Sequence, residues 1–221
     1  MLILGVDTSS RNGSIALVEF LADSPRTLEL ASLEGGTFSA QLIPQIGALL
    51  ANHHLTKNHL DGFAVACGPG SFTGLRVGLA AIKALGEILH KPIAAVSLFE
   101  ATARAAGCRG SVMVGLDAGR GQVYAGRYRF KNGQSSCLDQ RLLSLVDFRA
   151  EFGAQPVVTS SLPLSLEIPQ ATLIAQPKAD VIAHLGFEKI QRGELVTPET
   201  LDATYVRASD AEINRSQGDE P

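Results

Sequence analysis

Two short stretches constrain this chain more than anything else in it. Leu-Ile-Leu-Gly-Val-Asp7 is matched, 110 residues further on, by Val-Met-Val-Gly-Leu-Asp117. Each is an apolar run of strand length that delivers an aspartate into a turn. The first turn holds Arg11-Asn12-Gly13, and a return strand runs over 14–20. The second holds Asp117-Ala118-Gly119-Arg120-Gly121 and returns over 122–130. Asn-Gly is a strong tight-turn signal, and it recurs at Asn132-Gly133. Third strands are expected over 28–33 and 138–143. The same Gly-apolar-Asp register in both halves predicts a duplication, and hence two related lobes.

Between the repeats the signals alternate. Leu42, Ile46, Leu49 and Leu50 share one face of a helix expected over 39–52, with Ser39 as its cap and Pro44 near its start. A buried strand over 63–67 ends at Gly68-Pro69-Gly70. Ser71 then caps a long helix to about residue 90. A strand over 92–96 and a helix capped by Ser97, to about 106, complete the first half. The second half is thinner. A helix is expected over 146–152, short strands over 156–159 and 171–174, a helix over 179–192 and a last strand over 203–207. This alternation is the pattern of an α/β fold with mixed sheets and flanking helices. The expected domains are residues 1–108, residues 109–207 as a reduced second lobe, and a frayed tail over 208–221.

Gly70, Gly74 and Gly78 fall four apart at the start of the long helix. Each glycine inside a helix costs about 1 kcal/mol against alanine. A chain that keeps them has another backbone close by. That backbone is the helix's own sheet or a partner; the alternative is an anion at the helix N-terminus.

Composition closes off several classes. Hydrophobic residues make up 45% and charged residues 19%, and no apolar run reaches the roughly 20 residues that cross a bilayer. The apolar start meets Asp7 too soon for a signal peptide. Cys67, Cys108 and Cys137 are odd in number and have no C-x-x-C spacing, which reads as free thiols in a reducing cytoplasm. A net charge of −3 argues against tight binding of nucleic acid by this chain alone.

The chemistry on offer is narrow. Asp7, Thr8 and Ser9 could face Asp117 and Gly119 across a cleft, as in a two-lobed ATPase using turn N–H groups for phosphate and Asp for Mg²⁺. Equally, each Asp could only close its own turn. Residues 156–175 hold no glycine to admit an adenosine, and there is no P-loop signature. His53, His54 and His59 lack a Cys or carboxylate at ligand spacing. His90 and His184 are isolated, Cys67 ends a buried strand, and no G-x-S-x-G elbow is present.

Ile3-Leu-Gly-Val-Asp-Thr8, Gly68-Pro-Gly-Ser-Phe-Thr-Gly-Leu-Arg76 with Val77-Gly78, Asp117-Ala118 with Val123-Tyr124, and Tyr205-Val206-Arg207 together resemble the bacterial TsaB (YeaZ) family of tRNA threonylcarbamoyladenosine biosynthesis proteins. The likeness spans nearly the whole chain, and its specific part is Gly68–Arg76. The resemblance implies an actin-like, ribonuclease H-like fold of two duplicated lobes, shared with Hsp70 and the sugar kinases and with glycoprotease-like relatives. It implies a subunit without catalytic residues, metal or cofactor. Such a subunit docks the homologous transferase TsaD, works with the P-loop ATPase TsaE, forms a homodimer when alone and meets tRNA only through the complex. The first two helices of the N-lobe carry that docking in the family. This implies an interface of Leu42, Ile46, Leu49, Phe72, Leu75, Gly78, Leu79 and Ile82, and a vestigial phosphate loop at Asp7, Thr8, Ser9, Asp117 and Gly119. Catalytic relatives carry two histidines four apart where this chain has Ser97-Leu98-Phe99-Glu100-Ala101-Thr102. Gly119 stands where the family usually has Arg, and Phe38 where a His often precedes the Ser. The competing class is an enzyme in its own right, a two-lobed ATPase or glycoprotease-like hydrolase using Asp7 and Asp117.

Overall fold

The structure, a computed structural model, describes residues 1–21, 24–131, 134–153, 155–204 and 206. The turn expected at Asn132-Gly133, residues Tyr205 and Arg207 of the expected last strand, and the tail over 208–221 lie outside the described residues. Of that last strand, residues 203, 204 and 206 are not in strand conformation.

Two five-stranded sheets carry the fold. The first is built from β1 (Leu2–Asp7), β2 (Asn12–Phe20), β3 (Pro25–Glu34), β4 (Gly62–Gly68) and β5 (Ile93–Ser97), in the order β3-β2-β1-β4-β5. The second is built from β6 (Gly110–Gly119), β7 (Gln122–Lys131), β8 (Gln134–Ser144), β9 (Val157–Thr159) and β10 (Thr172–Leu173), in the order β8-β7-β6-β9-β10. The two orders are the same when each sheet is numbered from its own first strand. In both, the first three strands are antiparallel and the last two join in parallel. The duplication read from the two Asp-bearing strands is therefore present in the topology.

Helices α1 (Phe38–Asn52) and α2 (Phe72–Leu89) cover one face of the first sheet. Their inner faces meet Leu4, Val6, Phe63 and Val65 from alternate positions of β1 and β4. The other face takes α3 (Leu98–Ala105) and α6 (Ala179–Gln191). In the second lobe α4 (Leu145–Phe152) and α5 (Leu162–Glu167) cover one face. Residues 162–167, between the two short strands expected over 156–159 and 171–174, form a helix. Ser161 caps it by accepting from the Leu164 N–H, and Pro163 occupies a first-turn position where its missing N–H costs nothing.

Two elements join the lobes. Helix α3 is buried at six consecutive residues, Leu98 to Ala103. Leu98 and Ala101 pack on the first sheet, Phe99 and Ala103 on the second. Helix α6 follows the second lobe in sequence yet lies on β1, β2, β4 and β5 of the first, and its Ala179 N–H donates to Ser14 Oγ at 2.9 Å. The stretch expected as the second lobe, residues 109–207, thus contains a helix that packs on the first sheet, because the apolar stripe of Ile182, Ala183 and Leu185 matches that sheet's open face. Val196 also bridges to Ile93 of β5.

The glycines of α2 face inward. A Cβ at Gly74 would strike the Thr8 carbonyl oxygen, one at Gly78 the Thr8 hydroxyl, and one at Gly70 the Ser9 carbonyl oxygen. Gly47, on the outer side of α1, has nothing within 4 Å of where its Cβ would stand. The pair gives a test. Gly74→Ala loses about 1–3 kcal/mol of stability by overpacking against backbone, despite the better helix propensity of alanine. Gly47→Ala gains about 0.5–1 kcal/mol. Urea unfolding of the isolated chain at low concentration reads both signs.

Candidate functional site

The cleft between the lobes is built at the ends of β1 and β6. It encloses about 240 Å³ and is lined by Ser9, Ser10, Gly70, Leu98, Thr102 and Asp117 among others. Ser9 and Asp117 thus line the same cavity. Asp7 and Thr8 are not in the cleft lining.

Asp7 is 1% exposed, and its Oδ1 accepts from the Ser9 N–H at 2.9 Å and from Ser9 Oγ at 2.5 Å. Burial pushes its carboxyl above the usual carboxylate range, against the pull of the two Ser9 bonds. Thr8 is buried with its hydroxyl donating to the Gly74 carbonyl at 2.8 Å. The Ser9 carbonyl accepts from the Ser71 N–H at 2.6 Å. The backbone and side chains of the first turn are thus already engaged with each other and with the start of α2. Asp117 is exposed and accepts from the Gly119 N–H at 2.8 Å, closing its own turn. Gly119 does not line the cleft; its φ of +73° and the open space around it belong to that turn.

Leu98 and Thr102, four apart on α3, stand in the cleft wall. A leucine and one hydroxyl do not make a transition-metal site. Among the described residues no group of three or more His, Cys, Asp or Glu could hold a metal ion. His53 instead meets Glu29 at 3.0 Å, and His59 caps the turn at Thr56. Cys67 is buried, which raises its thiol pKa, and among the described residues no helix is long and apolar enough to cross a membrane.

The second candidate surface is the outer side of α1 and α2, and here residues change roles. Leu42, Ile46, Leu49, Leu75, Leu79 and Ile82 are core residues, all between 0% and 5% exposed, and Gly78 is sealed against Thr8. As direct contacts for a partner they are corrected: a helix has two apolar faces here, and these residues form the inner one. Phe72 is half-buried at the rim, with the Arg76 guanidinium 3.7 Å over its ring. The outer face presents Ile43, 52% exposed, with Ala40, Gly47 and Ala48 on α1, and Ala80, Ala84 and Ile88 on α2. A groove of about 470 Å³ runs between the helices past Ile43, Phe72, Val77 and Ala80. The signal was available in the sequence: α1 is 15 residues long and contains no charged residue. A helix with one face in a core ordinarily puts charge on the other.

With this geometry in hand, comparison with known proteins is informative. The sequence profile of the family described as "TsaD: tRNA N6-adenosine threonylcarbamoyltransferase" matches residues 35–148. The chain belongs to the TsaD family. Within it the likeness is to the TsaB/YeaZ proteins of the actin-like superfamily. It is 37% identical over 134 residues to the tRNA threonylcarbamoyladenosine biosynthesis protein TsaB of Bacillus subtilis, covering 60% of this chain and 57% of that one. It is 34% identical over 125 residues to TsaB of Haemophilus influenzae, covering 55% and 51%. The matched part of the chain therefore spans little more than half the length of these curated relatives. A crystal structure of a Pseudomonas aeruginosa protein with similarity to peptidase YEAZ superposes with a TM-score of 0.74 at 25% identity, covering 93% of this chain and 99% of that one. YeaZ from the same organism gives a TM-score of 0.75 at 23% identity, covering 93% and 100%, which speaks to the fold.

The burial of Asp7 has a consequence for stability. Because its folded-state pKa is raised, the fold favours the protonated form, and Asp7 withdraws stability as pH rises through that raised value. Asp7→Asn keeps an acceptor for Ser9 without a charge. It should be at least as stable as the parent at pH 7, with the difference closing as pH falls below the ordinary carboxylate range. Asp7→Ala leaves the Ser9 N–H and hydroxyl without an acceptor and costs about 1–3 kcal/mol. Thermal melts between pH 4 and 8 check the order.

Proposed function

We propose that this chain is a non-catalytic subunit in the biosynthesis of threonylcarbamoyladenosine in tRNA. It docks and stabilises a homologous TsaD-type transferase through the outer face of α1 and α2. The observation that carries the reading is that face itself: two long helices side by side, with Ile43, Ala48, Ala80 and Ile88 turned to solvent and no charge on α1. An exposed apolar face of this kind needs a cover. Small residues on both helices allow a second helix pair to come close. A homologous subunit offers the equivalent helix pair on its own duplicated fold, so the two can pack about a pseudo-two-fold axis. A second copy of this chain offers the same surface, which gives a homodimer when the partner is absent.

The cleft supports the non-catalytic part of the reading. The groups of the first turn that would receive a phosphate are engaged by Asp7, Ser71 and Gly74, and the α3 positions facing them are not metal ligands. The P-loop ATPase TsaE belongs to the proposal as a third member of the assembly, and the chain meets tRNA there.

Ile43→Arg and Ala80→Arg test it. Both side chains point to solvent, so the melting temperature of the isolated chain should hold within a degree or two. Association with the TsaD-type subunit should weaken by about 2–4 kcal/mol, the scale of an interface hot spot, or at least thirtyfold in Kd. The homodimer should dissociate in sedimentation runs. Variants that still co-purify like the parent overturn the docking face. ATP hydrolysis by the isolated chain that Asp7→Asn abolishes overturns the non-catalytic assignment.

A further inference from the structure

A second surface lies on the other lobe, on the α4 side of the second sheet. Odd-numbered residues of β7 share that side, because Val123 and Ala125 pack with Phe148 of α4 while Tyr128 and Phe130 turn to Phe99 on the opposite side. Continuing the alternation, Arg127 lies half-buried at the edge of α4, and Arg129 and Lys131 extend along the same face beyond the helix. Successive members stand about 6.8 Å apart along the strand.

Their neighbours across the sheet are uncharged where the helix no longer covers it. Arg129 is flanked by Ser111 on β6 and Ser136 on β8, and Lys131 by Gln134. Arg109 adjoins the same end of the sheet, one residue before the Gly110–Phe130 pair. The nearby carboxylates are taken. Asp139 and Glu151 are paired with Arg141 at 2.5 and 2.6 Å, and Glu151 reaches Arg127 only at 3.8 Å. Arg129 and Lys131 are exposed and make no ion pair among the described residues. In a chain of net charge −3, this is a local concentration of positive charge that the fold does not use.

We infer that this face is a contact surface for the sugar–phosphate backbone of an RNA. The spacing of the cations along one strand is that of a nucleotide step, and the hydroxyl and amide side chains between them are suited to phosphate and sugar oxygens. The aromatic residues of β7 at 128 and 130 are buried, so no stacking platform accompanies the charge. The contact is therefore electrostatic and indifferent to base sequence. Three cations are too few for tight binding by an acidic chain on its own. They add to an affinity supplied elsewhere, which is why the inference rests on the subunit reading above. The face lies on the lobe opposite to α1 and α2, so both can be occupied together.

The test is the double variant Arg129→Glu/Lys131→Glu in the assembly reconstituted with the TsaD-type subunit. Fluorescence anisotropy follows labelled tRNA over a salt series. Affinity near 0.1 M salt should fall about tenfold or more, and the slope of log K against log salt should shrink by about 2. Arg129→Lys/Lys131→Arg should behave as the parent. Co-purification and melting of both variants stay unchanged, which separates this result from failure of the docking reading. If the parent chain does not assemble at all, the same titration of the isolated chain at low salt still decides. Salt-sensitive tRNA binding lost in the double variant supports the face, and no parent binding overturns it. An intact assembly whose tRNA affinity and salt slope do not change overturns it too. So does retained tRNA binding together with lost binding of a polyglutamate probe, which would mark the face as a site for an acidic protein segment.

Discussion

Everything in the first lobe depends on how closely α2 approaches the end of β1. Helix and turn meet backbone to backbone, with no side chain between Gly74 and the Thr8 carbonyl or between Gly70 and the Ser9 carbonyl. Thr8 then reaches across to the Gly74 carbonyl, and Ser71 donates back to Ser9. Three consequences follow from one contact. The helix is fixed in angle, so its outer residues line up beside those of α1. The turn is drawn shut, so its polar groups serve the fold. Asp7 is buried beneath it, where desolvation holds its carboxyl toward the neutral form. A glycine stripe ordinarily raises the question of who lies against it. In this chain the answer is internal, and the side proposed above for docking is the one turned away from the glycines.

The two lobes are topological copies, yet they are joined by elements that belong to neither copy alone. Helix α3 has no solvent face along most of its length, and Glu100, 6% exposed within it, is held by Lys189 of α6 at 3.3 Å and by the Ser135 hydroxyl of β8. Nearby, the Tyr128 hydroxyl donates to Ser97 Oγ at 3.1 Å while accepting from Gln140. A buried carboxylate is tolerated only when it is paired and hydrogen-bonded, and here its partners come from both lobes. Gln176 adds a bond to Ser10 across the mouth of the cleft at 2.8 Å. A two-lobed machine that cycles a ligand needs a hinge at this place. This chain has put a packed helix and a polar cluster there instead, which suits a scaffold.

Much of the topology was legible because strand-turn-strand repeats leave local marks. The aspartates at 7 and 117 announce equivalent turns, and both sheets do carry the same order. The helix start at Ser71 was legible for the same reason, since a cap is a matter of neighbouring residues. What could not be read was which way a doubly apolar helix faces. Leu42, Ile46 and Leu49 have the right period for burial, and so does the series of Ile43 and Gly47. Period alone does not rank them; only the sheet beneath α1 does. Helix α5 escaped because six residues are too few for periodicity. The return of α6 to the first sheet escaped because crossing between lobes is decided by complementary surfaces far apart in sequence.

The distribution of charge ties these points together. Burying apolar surface stabilises by about 25 cal/mol per Å², and leaving Ile43 and Ile88 in water forgoes that gain in the isolated chain. On the outer side of α1 and α2 this exposure stands among small residues, Ala40, Gly47, Ala48, Ala80 and Ala84. It leaves the isolated fold its own core while keeping ready a surface that a homologous subunit can fill. The second lobe carries the opposite design, with arginines and a lysine kept on an open sheet face and most carboxylates paired away. A helix surface as poor in charge as that of α1 excludes water well and fits a protein. A face with unneutralised cations attracts a polyanion over a Debye length of about 8–10 Å and is weakened by salt. Because the two sit on different lobes, filling one does not cover the other. On the proposed function the fold is a bridge, with a structural cleft and two outer surfaces that each take a different partner.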